Sequence, residues 1–243
     1  MPSATDLLTR NDVGMESFFN LGQVFRPHPT PSFASSGAGS IASTIAGDRW
    51  INLNSGTANN GWGRATIARG VTTVPAASGA GISFARPLGV SIILFLGLSS
   101  ATDNGNVFRL RFGSDQTPTP DGSDPVSYRS FGIEIKARGT THDWRVYAHN
   151  GTSITYSAWA NTGFPINLSG TRIYASVISN GSGSIAGYLG SDGSRSLSQL
   201  TISGGPTTTG AAAQAFVDVH IANSSTTITG AGAFVLDAMI YSL

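Results

Sequence analysis

From Gly47 onward, hydrophobic residues recur at every second position in run after run, the period of half-buried β-strands. In residues 106–112, Phe108, Leu110 and Phe112 fall on one face and Arg109 and Arg111 on the other. Residues 131–138 place Phe131, Ile133, Ile135 and Ala137 inward and Glu134, Lys136 and Arg138 outward. The same alternation sets Trp144, Val146 and Ala148 against Arg145, Tyr147 and His149. It sets Ile173, Ala175 and Val177 against Tyr174, Ser176 and Ile178, and Val217, Val219 and Ile221 against Asp218 and His220. The last run, 233–241, predicts Phe234, Leu236, Ala238 and Ile240 inward. Leu88 to Leu98 is an apolar run of 11 residues. It is too short to cross a bilayer as a helix and reads as a strand buried on both faces.

Turn chemistry separates these runs. Asp103-Asn104-Gly105, Asp121-Gly122, Asn150-Gly151, Asn180-Gly181 and Asp192-Gly193 supply the positive φ that tight hairpins need. The segment HNGTSITYS, 149–157, lies between two alternating runs and predicts a hairpin. The pattern yields about a dozen strands and no long amphipathic helix after residue 47, which is an antiparallel sandwich or barrel. No repeat of fixed period points to a propeller or β-helix.

Residues 1–46 differ. Asp6–Arg10 and Glu16–Phe25 are each suited to a short helical turn, and the proline- and Gly/Ser-rich linker 26–46 follows. Phe18, Phe19, Leu21, Val24, Phe25 and Phe33 give this segment more large apolar groups than a solvated tail carries. It is therefore expected to be an arm whose apolar groups pack on the domain or on a partner, docking it on a capsid or tail protein or on sister subunits, with the β domain spanning 47–243. The N-terminus has no basic and apolar signal segment, so synthesis in the cytoplasm is expected. The four Asn-x-Ser/Thr triplets, at Asn150, Asn167, Asn180 and Asn223, then read as composition.

Composition narrows the function. Charged residues are 11% of the 243, against roughly 25% in an average soluble domain. The net charge is +1 and Lys136 is the only lysine. No field draws the chain to nucleic acid or to an acidic membrane surface. Cysteine is absent, which excludes disulfides, thiol nucleophiles and Cys-based metal sites.

The runs WRVYAHNGTSITYS, RIYASVISNGSGSIAGYLG and GAFVLDAMIYS resemble the concanavalin A-like/laminin-G-like family. That resemblance implies a jelly roll of two antiparallel sheets over roughly residues 47–243. This fold hosts lectins, glucanases, adhesion modules and virion proteins. The apolar and proline-rich arm, the Gly/Ser/Thr-rich body, and the lack of cysteine and signal also resemble tailed-phage structural proteins. The resemblance implies a non-enzymatic virion component, a capsid decoration (cement) protein or a spike or fibre head. Its partners would be capsid or tail proteins, and a homotrimer is the expected oligomer. A lectin-like carbohydrate-binding module, meeting a surface glycan, is the alternative.

Candidate chemistry is sparse. The acidic strand pattern of the family's glucanases, Glu-x-Asp-x-Glu, is missing, and Glu16 and Glu134 are the only glutamates. A surface salt bridge from Glu134 to Lys136 or Arg138 is expected. Asp218 and His220 share a strand face, but no Gly-x-Ser-x-Gly elbow supplies a nucleophile. They read as a polar outer face or a subunit contact, so no catalytic residue and no cofactor is expected. Calcium is the one metal with candidates, in the acidic loops carrying Asp103, Asp121 and Asp124. Exposed aromatics for sugar stacking would be Trp62, Tyr147, Tyr156 and Trp159, with Trp50 and Trp144 in the core.

Overall fold

The computed structural model describes residues 32–36, 44–46, 50–69, 84–98, 106–113, 129–138, 141–164, 166, 171–192, 197–208, 216–223 and 231–242. These residues are all-β. The strands begin with β1 (Ser32–Ser36), β2 (Thr44–Ala46), β3 (Trp50–Asn54), β4 (Trp62–Arg69) and β5 (Leu88–Gly97). They continue with β6 (Val107–Gly113), β7 (Ser130–Arg138), β8 (Thr141–His149), β9 (Ile154–Tyr156) and β10 (Ala160–Asn161). The last are β11 (Arg172–Ser179), β12 (Ile185–Ser191), β13 (Ser198–Ile202), β14 (Phe216–Ala222) and β15 (Gly232–Ser242).

Two antiparallel sheets stack into the expected sandwich. An eight-stranded sheet runs β1-β4-β14-β6-β7-β8-β10, with β9 also on β8, and a seven-stranded sheet runs β13-β12-β11-β5-β15-β3-β2. The core fills the gap between them with the alternating sets read from the sequence. Phe108, Leu110, Phe112, Ile133, Trp144 and Val146 come from one sheet, and Ile92, Leu94, Ile173, Val177 and Leu189 from the other. The apolar run at 88–98 is central, with β11 on one edge and β15 on the other. Gly187 lets the sheets close here: a Cβ on it would lie 2.3 Å from Val146 Cγ2.

Two features depart from the sequence reading. The strands β1 and β2 lie within the segment expected as an arm, and pair with β4 and β3 at the sheet edges. Their runs, SFASS and TIA, are short and each carries one large apolar side chain, Phe33 or Ile45, too few to give an alternating signal. Phe33 lies in β1 opposite Ala65. Phe18, Phe19, Leu21, Val24 and Phe25, and the helical turns expected near them, lie outside the described residues. The second departure is in β15. Ala233 and Val235 occupy the core, one residue out of phase with the expected Phe234 and Leu236. A bulge between Val235 and Asp237 then shifts the register, so that Ala238 pairs with Ile92 and Ile240 with Val90. One inserted residue exchanges the two faces of a strand.

The turn chemistry read at Asn150 and Asn180 is realised, and three of the four Asn-x-Ser/Thr asparagines do structural work. Asn150 Oδ1 accepts from the backbone of Thr152 and Ser153, and Asn180 Oδ1 from Ser182 and Ser184, closing the two Asn-Gly hairpins. Their glycines hold φ of 100° and 78°. Asn223 is buried. Its Nδ2 donates to the carbonyls of Gly56 and Ala58, each at 2.8 Å, while its Oδ1 accepts from Asn106. This amide ties the 55–61 loop to the end of β14. Asn223→Asp removes the donors and sets a carboxylate against those carbonyls. A loss of about 3 kcal/mol is expected in urea unfolding.

Candidate functional site on the polar face of the eight-stranded sheet

The alternation that feeds the core leaves a second face on the eight-stranded sheet, and the strand register arranges it in rows. One row runs Arg64–His220–Arg109–Glu134–Arg145 across β4, β14, β6, β7 and β8. The next runs Asp218–Arg111–Gly132–Tyr147–Tyr156, ending on β9. A third runs Trp62–Ala222–Val107–Lys136–Asp143. Directly opposed side chains on a sheet stand about 5 Å apart at Cβ, close enough to pair.

Glu134 anchors the first row. Its side chain is 1% exposed, Arg109 Nε donates to Oε1 at 2.6 Å, and Arg145 Nε donates to Oε2 at 2.5 Å. The expected surface bridge to Lys136 or Arg138 is corrected. Same-face neighbours along a strand sit two residues, or roughly 7 Å, apart, so the cross-strand arginines win. Burial by itself would raise the Glu134 carboxyl; the charges and hydrogen bonds of the two arginines overturn that and hold it below its ordinary value.

Asp218 is also buried, 3.2 Å from Arg64 Nε. Burial pushes its carboxyl up to about 6, against the opposing pull of Arg111, Arg64 and Arg109. His220 contacts the Trp62 ring at 6.1 Å between centroids. The two residues therefore share a buried face, with Asp218 engaged by Arg64. Tyr147 is completely buried, with its ring lying over Gly132, where a Cβ would come within 2.6 Å of the hydroxyl. Burial raises that hydroxyl far above its ordinary value.

At the β8–β9–β10 side the face opens to solvent. The Arg145 guanidinium lies 3.6 Å from the Tyr156 ring centroid and 4.4 Å from that of Trp159. Arg138 stands 5.4 Å from the Trp159 ring and bonds Asp143 at 3.3 Å. Tyr156 and Trp159 are partly exposed. Tyr147 approaches Tyr156 at 6.3 Å between centroids.

The four aromatic candidates thus share one face of one sheet, but not one role. Tyr147, Tyr156 and Trp159 gather around β8 and β9, whereas Trp62 packs with Val107 and Ala222 in a separate apolar cluster. Trp62 and Tyr147 are corrected as exposed stacking residues, because both are buried. Trp144 is in the core as expected. The sequence reading missed Arg145, the cation that joins Tyr156 to Trp159. Its signal was its place in the same short hairpin segment as both rings.

Among the described residues, no group of three or more His, Asp or Glu side chains is placed to hold a metal ion. The calcium candidates Asp103, Asp121 and Asp124 lie outside the described residues.

Solved structures align over nearly the whole chain. The lectin UEA-II complexed with galactose matches with a TM-score of 0.57 and 12% identity, covering 92% of this chain and 98% of that one. A seed lectin of Lotus tetragonolobus matches with a TM-score of 0.59 and 10% identity, covering 90% and 98%. This is the legume-lectin type of β-sandwich. The VIP36 exoplasmic/lumenal domain in its Ca2+/Man-bound form matches with a TM-score of 0.58 and 12% identity, covering 88% and 83%. No protein-family model and no curated protein matches the sequence. At such identities the likeness is one of fold.

Two outcomes test the polar face. Glu134→Gln leaves a buried guanidinium, Arg109, and a half-buried one, Arg145, without their shared anion, and a loss of roughly 3 kcal/mol is expected by denaturant unfolding. Asp218 gives a pH signature. The folded chain keeps the Asp218 proton up to about pH 6, the unfolded chain only to about 3.8. Stability from this group therefore falls as pH rises through that window. The advantage of wild type over Asp218→Asn is expected to shrink across the window and to level off above it, read as urea midpoints against pH.

Proposed function

We propose that this chain is a non-enzymatic, lectin-like carbohydrate-binding module whose sugar contact is the ledge of Tyr156, Arg145 and Trp159. The observation that carries the reading is the pair of partly exposed rings held by one guanidinium at the open side of a lectin-type sheet. A pyranose ring presents C–H groups on one face, and an immobilised aromatic offers them an apolar surface without a large entropy cost. The arginine keeps both rings in place before a ligand arrives and brings N–H donors to the sugar hydroxyls. Solved structures of the same fold, bound to galactose and in a Ca2+/Man-bound form, support sugar binding as the kind of task it performs.

A hydrolase reading finds less support. Glycoside hydrolysis needs two carboxyl groups presented to the scissile bond. On this face Glu134 and Asp218 are buried and engaged by arginines. No feature of the described fold favours the virion-protein reading over this one, and the arm residues Phe18 to Phe25 on which it rests lie outside the described residues.

Titration with mono- and oligosaccharides, followed by tryptophan fluorescence, tests the proposal. Binding is expected to change the emission of the wild type. Trp159→Ala is expected to weaken affinity by roughly tenfold while leaving the far-UV spectrum intact. Unchanged affinity in both Trp159→Ala and Tyr156→Ala would remove the ledge as the site.

A further inference from the structure

Charge on this chain is scarce and unevenly placed. Around the ledge stand four cations, Arg109, Lys136, Arg138 and Arg145, with two carboxylates, Glu134 and Asp143. That excess of two positive charges is larger than the net charge of the entire chain, +1. The carboxylates are already engaged: Glu134 between two guanidiniums, Asp143 with Arg138. Lys136 makes no ion pair among the described residues, although it sits half-buried within the field of Glu134, Arg138, Arg145 and Arg109. Burial disfavours its ammonium, and an arriving anion would relieve that cost. The Arg138 side chain is 43% exposed and reaches towards Trp159.

From this juxtaposition we infer that the sugar bound at the ledge is anionic, with a carboxylate or a sulfate ester seated against Lys136 and Arg138 while its ring lies on Trp159. The inference rests on the glycan-binding reading and narrows its ligand. A neutral sugar gains only hydrogen bonds from these donors to its hydroxyls. An anionic one gains charge-assisted hydrogen bonds as well.

The test is isothermal titration of the full chain with three probes: oligogalacturonate, sulfated dextran oligosaccharide and neutral dextran oligosaccharide. At least one anionic probe is expected to bind about tenfold more tightly than the neutral one, and the advantage to shrink at high salt. Which anionic probe binds distinguishes the carboxylate from the sulfate ester. Lys136→Gln is expected to weaken that binding about tenfold, and Lys136→Arg to restore most of it. Arg138→Gln, at an exposed position, gives the same reading should Lys136→Gln perturb folding. Arg172→Gln, on the seven-stranded sheet and bonded to Asp192 at 3.0 Å, is expected to bind as wild type does. Equal affinity for neutral and anionic probes, lost together in Trp159→Ala, would overturn the anionic inference and leave the lectin-like reading standing. Wild-type affinity in both Lys136→Gln and Arg138→Gln would overturn it as well. Binding of no saccharide at all would remove the reading itself.

Discussion

The Glu134 carboxylate has to be neutralised inside the protein, and much of the polar face follows from how that is done. A buried carboxylate without partners would unfold the sheet or take up a proton. Here β6 and β8 each supply an arginine, one to each oxygen. The bridge spans three adjacent strands and fixes the side chain of Arg145. Once Arg145 is fixed, Tyr156 and Trp159 have a surface to stack on, so the short strands β9 and β10 gain a side-chain anchor beyond their few ladder hydrogen bonds. The open ledge thus depends on a salt bridge hidden behind it.

The same logic explains why the outer face of a sandwich sheet is so arginine-rich in a chain with so little charge. Arg64, Arg109 and Arg111 are nearly as buried as the core residues. Arginine tolerates such sites because its guanidinium stays charged, spreads its charge and bonds through a planar fork. Lysine in the same rows would be pushed to give up its proton. The direction of the shift at half-buried Lys136 shows that pressure at work. Asp218 shows it from the acidic side, with three arginines unable to hold its carboxyl at the ordinary value.

Much of the fold was legible in the sequence. Alternation along one strand names two faces, and it named the core face correctly for Phe108–Phe112, Phe131–Ala137, Trp144–Ala148, Ile173–Val177 and Val217–Ile221. It does not say whether the second face meets water. That is why Glu134 read as a surface group and Trp62 and Tyr147 as exposed rings. Register between strands is also silent in a single sequence, and the Arg–Glu–Arg bridge exists only through register. The bulge in β15 was invisible for a related reason: it breaks a period that the pattern assumes to continue. Tyr156 and Trp159 could be named because a hairpin signal at Asn150-Gly151 put them near a turn. Arg145 lay in the same hairpin segment, but its role is defined by Glu134 on the neighbouring strand, which that segment does not name.

A charge cluster in a nearly neutral protein works differently from a charged protein surface. A net charge of +1 gives little long-range attraction, and at physiological salt even a strong field fades within about 8 Å. In the proposed reading Lys136, Arg138 and Arg145 act only on a ligand already at the ledge, where partial burial lowers the dielectric and strengthens each contact. Such a site contributes little to the rate of encounter and more to the lifetime of the complex. The apolar rings and the cations then have complementary tasks. The rings accept the flat face of a sugar whatever its substituents. In the proposed reading Arg138 and Arg145, held by Asp143 and Glu134 behind them, and the half-buried Lys136 discriminate between substituents once that face is in place.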